Sequence, residues 1–238
     1  MQTSDRLIVA LDVDSIDQAR PLVRELDGVA SFYKIGMGLQ LDPGVNSFIR
    51  ELITAGKRVF LDYKYLDIEA TIERAVSQAA KIGVSFLTIH GHSSIIQAAV
   101  RGRGASALKL FAVTVLTSID AEDLKEMSFP CEVPELVLHR AGQAVKWGAD
   151  GVIASGREAA ALRTHLGDKL LITTPGIRPE GYGTDDQKRT MTPREAIAAG
   201  SDYLVVGRPI LAAPSPREAA ARIAAEIEAA IADRTAAS

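Results

Sequence analysis

Residues 60–68 read Phe60-Leu61-Asp62-Tyr63-Lys64-Tyr65-Leu66-Asp67-Ile68. The apolar run Val59-Phe60-Leu61 predicts a buried β-strand, and three charged residues follow within six positions. Residues two apart on a strand project to the same face, so Asp62 and Lys64 are expected to point together. Asp67 falls just past the strand, where the chain turns into the next helix. Charges at the mouth of an apolar strand are costly unless they are paired. These three residues are therefore expected to form a catalytic centre, with the rest of the chain positioning a substrate over them.

Outward from this stretch, short apolar runs alternate with amphipathic segments along the whole chain. Runs at 7–11, 32–35, 58–64, 85–90, 108–116, 151–154, 170–173 and 203–206 predict eight strands. Helical periods follow them: 15–26, capped by Ser15; 45–55; 68–81, closed by Gly83; 94–101; 120–127 with 135–147; 158–165; 193–199, opened by Thr192; and an Ala-rich stretch at 215–233. Near-continuous apolar strands suit a parallel sheet buried on both faces. Eight β-then-α units in 238 residues predict an α/β protein, a single-domain (β/α)8 TIM barrel over residues 1–238, rather than a doubly wound sheet. No linker, composition shift or further repeat suggests a second domain.

Composition narrows the function. Hydrophobic residues make up 47% of the chain, enough for a sizeable core. The net charge is -3 and no Lys/Arg stripe is present, which argues against nucleic acid as the main partner. Cys131 is the single cysteine, so neither an intramolecular disulfide nor a Cys-based zinc cluster is possible. No basic-then-apolar leader and no membrane-length apolar run is present. A soluble, cytoplasmic protein is the expectation.

In a barrel of this kind the active site lies at the C-terminal strand ends. Strand one ends in Asp12, strand two carries Lys34, and strand three carries Asp62, Lys64 and Asp67. These three charged ends sit side by side. Carboxylates flanking Lys64 favour its ammonium form, and an alternating Asp-Lys-Asp-Lys network can hold charges ready for a developing charge. The competing reading is an ion-pair network that serves structure alone. Strand five runs into Thr117-Ser118, strand seven into Pro175-Gly176-Ile177-Arg178, and strand eight into Gly207-Arg208. Gly207 lets backbone N–H approach an anion and Arg208 can grip two phosphate oxygens, so a phosphate is expected there, across the barrel mouth from the charged strands. The polar loop 179–189, with Gly181, Gly183 and Gln187, fits a lid that closes on the phosphate. A surface loop without function is the alternative.

Taken jointly, these motifs resemble the orotidine 5′-phosphate decarboxylase family. The resemblance is carried by Asp62-x-Lys64-x-x-Asp67 with Asp12 and Lys34, by Thr114-Val115-Leu116-Thr117-Ser118, by Thr174-Pro175-Gly176-Ile177-Arg178-Pro179, by Asp185-Asp186-Gln187-Lys188-Arg189, and by Asp202 through Ile210. It covers nearly the whole chain in order. It implies decarboxylation of orotidine 5′-monophosphate to UMP and CO2 in pyrimidine biosynthesis, with no metal and no cofactor. Lys64 would deliver a proton to C6 of the pyrimidine and Asp62 would face the substrate carboxylate. Asp12 and Lys34 would hold ribose hydroxyls and complete the network. Thr117 or Ser118 would read the pyrimidine edge. Gln187, Gly207 and Arg208 would hold the phosphate, with Pro175 and Arg178 joining the substrate-binding set. The resemblance also implies a homodimer in which Asp67, followed by Ile68 and Thr71, reaches the partner's site. Leu66 and Glu69-Ala70 depart from the family, many of whose members carry His and Pro-Asn at these positions.

Other residues draw no functional role. His90-x-His92 lacks an evident third metal ligand, and His90 is expected to hydrogen-bond at the barrel mouth. His139 and His165 fall on helices, Trp147 ends one, and Cys131 has no adjacent base. Two rivals stand beside the main reading. One is a magnesium-dependent sugar-phosphate enzyme, such as a 3-keto-gulonate-phosphate decarboxylase or hexulose-phosphate synthase, which shares the Asp-x-Lys-x-x-Asp strand. Such enzymes carry an acidic ligand where this chain has Lys34, so Lys34 discriminates. The other is a catalytically inactive barrel that only binds.

Overall fold

The computed structural model describes residues 3–180, 182 and 190–236. Eight parallel strands close into a barrel in the order β1 to β8, with β8 paired back onto β1. In chain order the elements are β1 (Leu7–Ala10), α1 (Ile16–Glu25), β2 (Phe32–Gly36), α2 (Val45–Thr54), β3 (Arg58–Tyr65), α3 (Glu69–Ile82), β4 (Phe86–His90), α4 (Ser93–Arg103), β5 (Lys109–Val113), α5 (Ala121–Glu126), α6 (Val133–Trp147), β6 (Gly151–Ile153), α7 (Gly156–Leu166), β7 (Leu171–Thr174), α8 (Pro193–Ala198), β8 (Tyr203–Val206), α9 (Arg208–Leu211) and α10 (Pro216–Ala236). The (β/α)8 expectation holds, strand for strand.

Three differences have physical causes. The fifth strand stops at Val113 rather than Leu116; the Ile153 carbonyl takes both the N–H and the hydroxyl of Thr114, and the chain then turns. The short helix α9 opens on Gly207 just after β8, a helix that the sequence pattern did not predict. β3 is irregular. Leu61 pairs with Leu87 and Tyr65 with Ile89, so residues 62–64 stand opposite Thr88 alone. Within that bulge Lys64 takes a φ of 49°, the left-handed region that a side chain rarely adopts.

The core has two parts. A large shell lies between strands and helices, and a smaller cluster fills the barrel itself. The inner cluster stacks Phe32, Phe60, Phe86, Phe111 and Tyr203 mostly edge to face, with Phe32 and Phe86 centroids 4.8 Å apart. Arg58 spreads its guanidinium over Phe32 at 4.0 Å. Phe60 belongs both to this plug and to the lining of the cavity above it, so the aromatic layer is the floor of the site. Among the described residues no helix is long and apolar enough to cross a membrane.

Candidate active site

The strand ends converge as the parallel barrel requires. One open cavity is lined by Asp12, Lys34, Asp62, Lys64, Thr117, Ser118, Pro175, Arg178, Gly207 and Arg208, together with apolar Ala10, Phe60, Val115, Leu116, Ile153 and Val205. Apart from Asp67, every strand-end residue expected in the substrate site thus lies on one wall or another of it. Gln187, with the motif 185–189 and the glycines Gly181 and Gly183 of the expected lid, lies outside the described residues. Asp67, Ile68 and Thr71 do not line the cavity. Asp67 is exposed at the outer rim, and its carboxylate accepts a hydrogen bond from the Ile68 N–H at 2.7 Å.

The four inner charges form an alternating chain. Lys34 Nζ lies 3.0 Å from Asp12 Oδ1 and 3.5 Å from Asp62 Oδ2. Lys64 Nζ lies 2.9 Å from Asp62 Oδ1. Lys34 is only 8% exposed, a position that an ammonium holds only with carboxylates beside it. Asp62 feels opposing influences. Burial pushes its carboxyl up, while the charges of Lys34 and Lys64 and hydrogen bonds from Lys64 and Thr88 pull it down, and the net direction is below the ordinary carboxylate value. It is therefore ionised at neutral pH.

Glycines make room for this network. A Cβ on Gly36 would come 3.2 Å from Lys34 Nζ, and one on Gly207 would come 3.2 Å from Asp12 Oδ2. The second contact corrects the expected layout. Because β8 pairs with β1, the Gly207-Arg208 end abuts Asp12 rather than facing it across the barrel mouth.

Thr88 was not singled out from sequence. It is fully buried, accepts the Lys64 backbone N–H at 2.9 Å and bonds Asp62 Oδ1 at 3.0 Å. Its signal was a polar residue inside the apolar run Phe86-Leu87-Thr88-Ile89, but its partners come from another strand. The expectation for His90 is also corrected. The His90 ring makes no hydrogen bond among the described residues, whereas His92 Nδ1 meets Ser94 Oγ at 2.9 Å. Burial, then the Arg140 and Lys64 charges, hold the His90 ring below its ordinary value, so it stays neutral at pH 7. Among the described residues no group of three or more His, Cys, Asp or Glu is arranged to hold a metal ion.

The family model described as "Orotidine 5'-phosphate decarboxylase / HUMPS family" matches residues 5–223. An orotidine 5′-phosphate decarboxylase of Nitrobacter winogradskyi is 59% identical over 223 residues, covering 94% of this chain and 92% of that protein. One from Afipia carboxidovorans is 51% identical and covers 94% of each. The crystal structure of orotidine 5′-phosphate decarboxylase from Lactobacillus acidophilus matches with a TM-score of 0.82 at 37% identity, over 94% of this chain and 99% of that one.

The depressed Asp62 carboxyl carries a pH signature. A carboxyl lowered in the folded state stabilises the fold above its unfolded pKa, and that contribution is lost as pH falls through the folded value. Urea unfolding at pH 7 should find Asp62→Asn less stable than wild type, with the gap closing as pH drops through and below the ordinary carboxylate range. A gap that is unchanged in acid contradicts the assignment.

Proposed function

This chain belongs to the orotidine 5′-phosphate decarboxylase / HUMPS family, and we propose that its cavity decarboxylates orotidine 5′-monophosphate to UMP and CO2, a step of pyrimidine nucleotide synthesis. The observation that carries this reading is the ion-paired chain Asp12–Lys34–Asp62–Lys64, which opens on the same cavity as Arg178, Gly207 and Arg208. A carbanion and a phosphate both call for fixed positive charge, and the two lie within one pocket's reach.

The chemistry follows from the charges. The bond between C6 and the carboxylate carbon breaks, CO2 leaves, and the electron pair stays on C6. The Lys64 ammonium stabilises that pair and delivers its proton to C6, and solvent then reprotonates the amine. Asp62 faces the departing carboxylate, so the substrate is repelled more than the carbanion that replaces it. Asp12 and Lys34 hold the ribose hydroxyls, and the Lys34 charge helps keep Asp62 ionised. Thr117 or Ser118 reads the pyrimidine edge above the Val115 and Leu116 wall. The Gly207 backbone, Arg208 and Gln187 hold the phosphate, with Pro175 and Arg178 completing the enclosure. Phosphate contacts far from C6 supply binding energy that can be used at the reacting centre.

The reading is metal-free and cofactor-free. The ammonium of Lys34 occupies the place where a magnesium-dependent sugar-phosphate enzyme needs an anionic ligand, and a cation there repels a metal ion. It also takes residues 1–238 as one barrel domain and the enzyme as cytoplasmic. The site is completed by a second copy of the chain. Leu66 and Ile68 are 62% and 71% exposed on either side of Asp67, an apolar rim suited to burial in a homodimer. Asp67, Ile68 and Thr71 then reach the neighbouring site, which accounts for their position outside their own cavity.

Replacing Lys64 by Ala should lower kcat on orotidine 5′-monophosphate by at least about a thousand-fold, since it removes both proton donor and charge. Equal turnover by wild type and Lys64→Ala rejects the proton-donor role. The shared site is tested by mixing the inactive variants Lys64→Ala and Asp67→Asn. If Asp67 crosses to the neighbour, random exchange restores about a quarter of wild-type activity, because half the dimers regain one intact site. No recovery shows that Asp67 serves its own chain.

A further inference from the structure

We propose that Thr88 is a positioning residue for the reaction, acting on Asp62 and Lys64 together through one hydroxyl. The inference rests on the reading above, in which those two residues meet the substrate. Its basis is the bulge in β3, where three residues stand against one. Between the pairs Leu61–Leu87 and Tyr65–Ile89, β4 offers only Thr88. The Lys64 N–H has no β4 carbonyl in register and goes instead to Thr88 Oγ1, at 2.9 Å. The hydroxyl has a single proton to give. Asp62 Oδ1 lies at 3.0 Å and the Leu61 carbonyl at 3.5 Å, and the nearer, charged acceptor takes it.

These contacts close a ring. The Lys64 N–H donates to Thr88, Thr88 donates to Asp62 Oδ1, and the same oxygen accepts from Lys64 Nζ at 2.9 Å. The Lys64 backbone is thereby tied, through one buried side chain, to the same carboxylate that its ammonium bonds directly. The left-handed backbone of Lys64 makes this tie necessary. That conformation is disfavoured for a residue with a Cβ and persists only where surrounding contacts hold it. Thr88 is 0% exposed, so no water substitutes for its oxygen. Without the hydroxyl the Lys64 N–H is left unsatisfied, Asp62 loses a donor, and the ammonium loses its fixed direction. Thr88 itself lies outside the cavity lining, so its effect falls on the chemical step rather than on nucleotide binding.

The test compares Thr88→Val, which keeps the shape and removes the hydroxyl, with Thr88→Ser, which keeps the hydroxyl. Thr88→Ala serves alongside Thr88→Val, and all rates are counted per UMP-binding site. The Val and Ala variants should lose about 10- to 100-fold in kcat, the size expected for a hydrogen bond to a charged group, with KM and the UMP dissociation constant within about threefold of wild type. Thr88→Ser should stay within about threefold of wild type in kcat. The inference is overturned if the hydroxyl-free variants keep wild-type kcat, or if Ser loses as much as Val, or if KM alone moves. Wild-type turnover in the same assay separates the two readings: an inactive wild type defeats the proposed function, whereas an active wild type with equally active Thr88→Val defeats only the role of Thr88.

Discussion

The site depends on one carboxylate held between two ammonium groups. Asp62 is removed from most solvent, and its charge survives there because Lys34 and Lys64 approach it from either side. Lys34 in turn tolerates its burial because Asp12 supplies a second anion. Removing any member leaves a neighbour charged and poorly compensated, which is the costly situation in a low-dielectric interior. The network is thus a unit. Gly36 and Gly207 are small where a side chain would intrude on it, and the aromatic cluster that includes Phe60 forms the floor beneath it.

A unit of fixed charges suits a reaction in which charge moves but little else does. The electrostatic contribution of an enzyme is largest when its dipoles and ions are already in place before the transition state forms. The bulge in β3 serves that end. A regular strand would pair each of residues 62–64 with β4, whereas here the irregular segment frees the backbone and sends Lys64 back over Asp62. Strain at Lys64 is stored at the point where the chemistry is proposed to occur, and the ladder on either side of the bulge holds it there.

Much of this architecture was legible from the chain alone, for reasons that can be named. Parallel strands buried on both faces leave unbroken apolar runs, so 203–206 was read to the residue and the barrel order followed. Charges at strand ends stand out against such runs, which is why Asp12, Lys34, Asp62 and Lys64 were found. What stayed hidden depends on pairing between distant segments. The turn after β5 involves the Ile153 carbonyl of β6, which takes both the N–H and the hydroxyl of Thr114. The closeness of Gly207 to Asp12 exists only because the barrel closes. The period of two that brought Asp62 and Lys64 to one face could not reveal the two extra residues of the bulge, nor Thr88 opposite them. Asp67 stands apart from these four because its proposed place is in the site of a second copy.

The central claim is that these fixed protein charges, and no metal ion, carry the decarboxylation. The most direct measurement follows the loss of orotidine 5′-monophosphate absorbance with purified protein in excess EDTA. Full turnover to UMP under those conditions is the predicted result. Absence of turnover, or turnover that returns only when magnesium is restored, would contradict it.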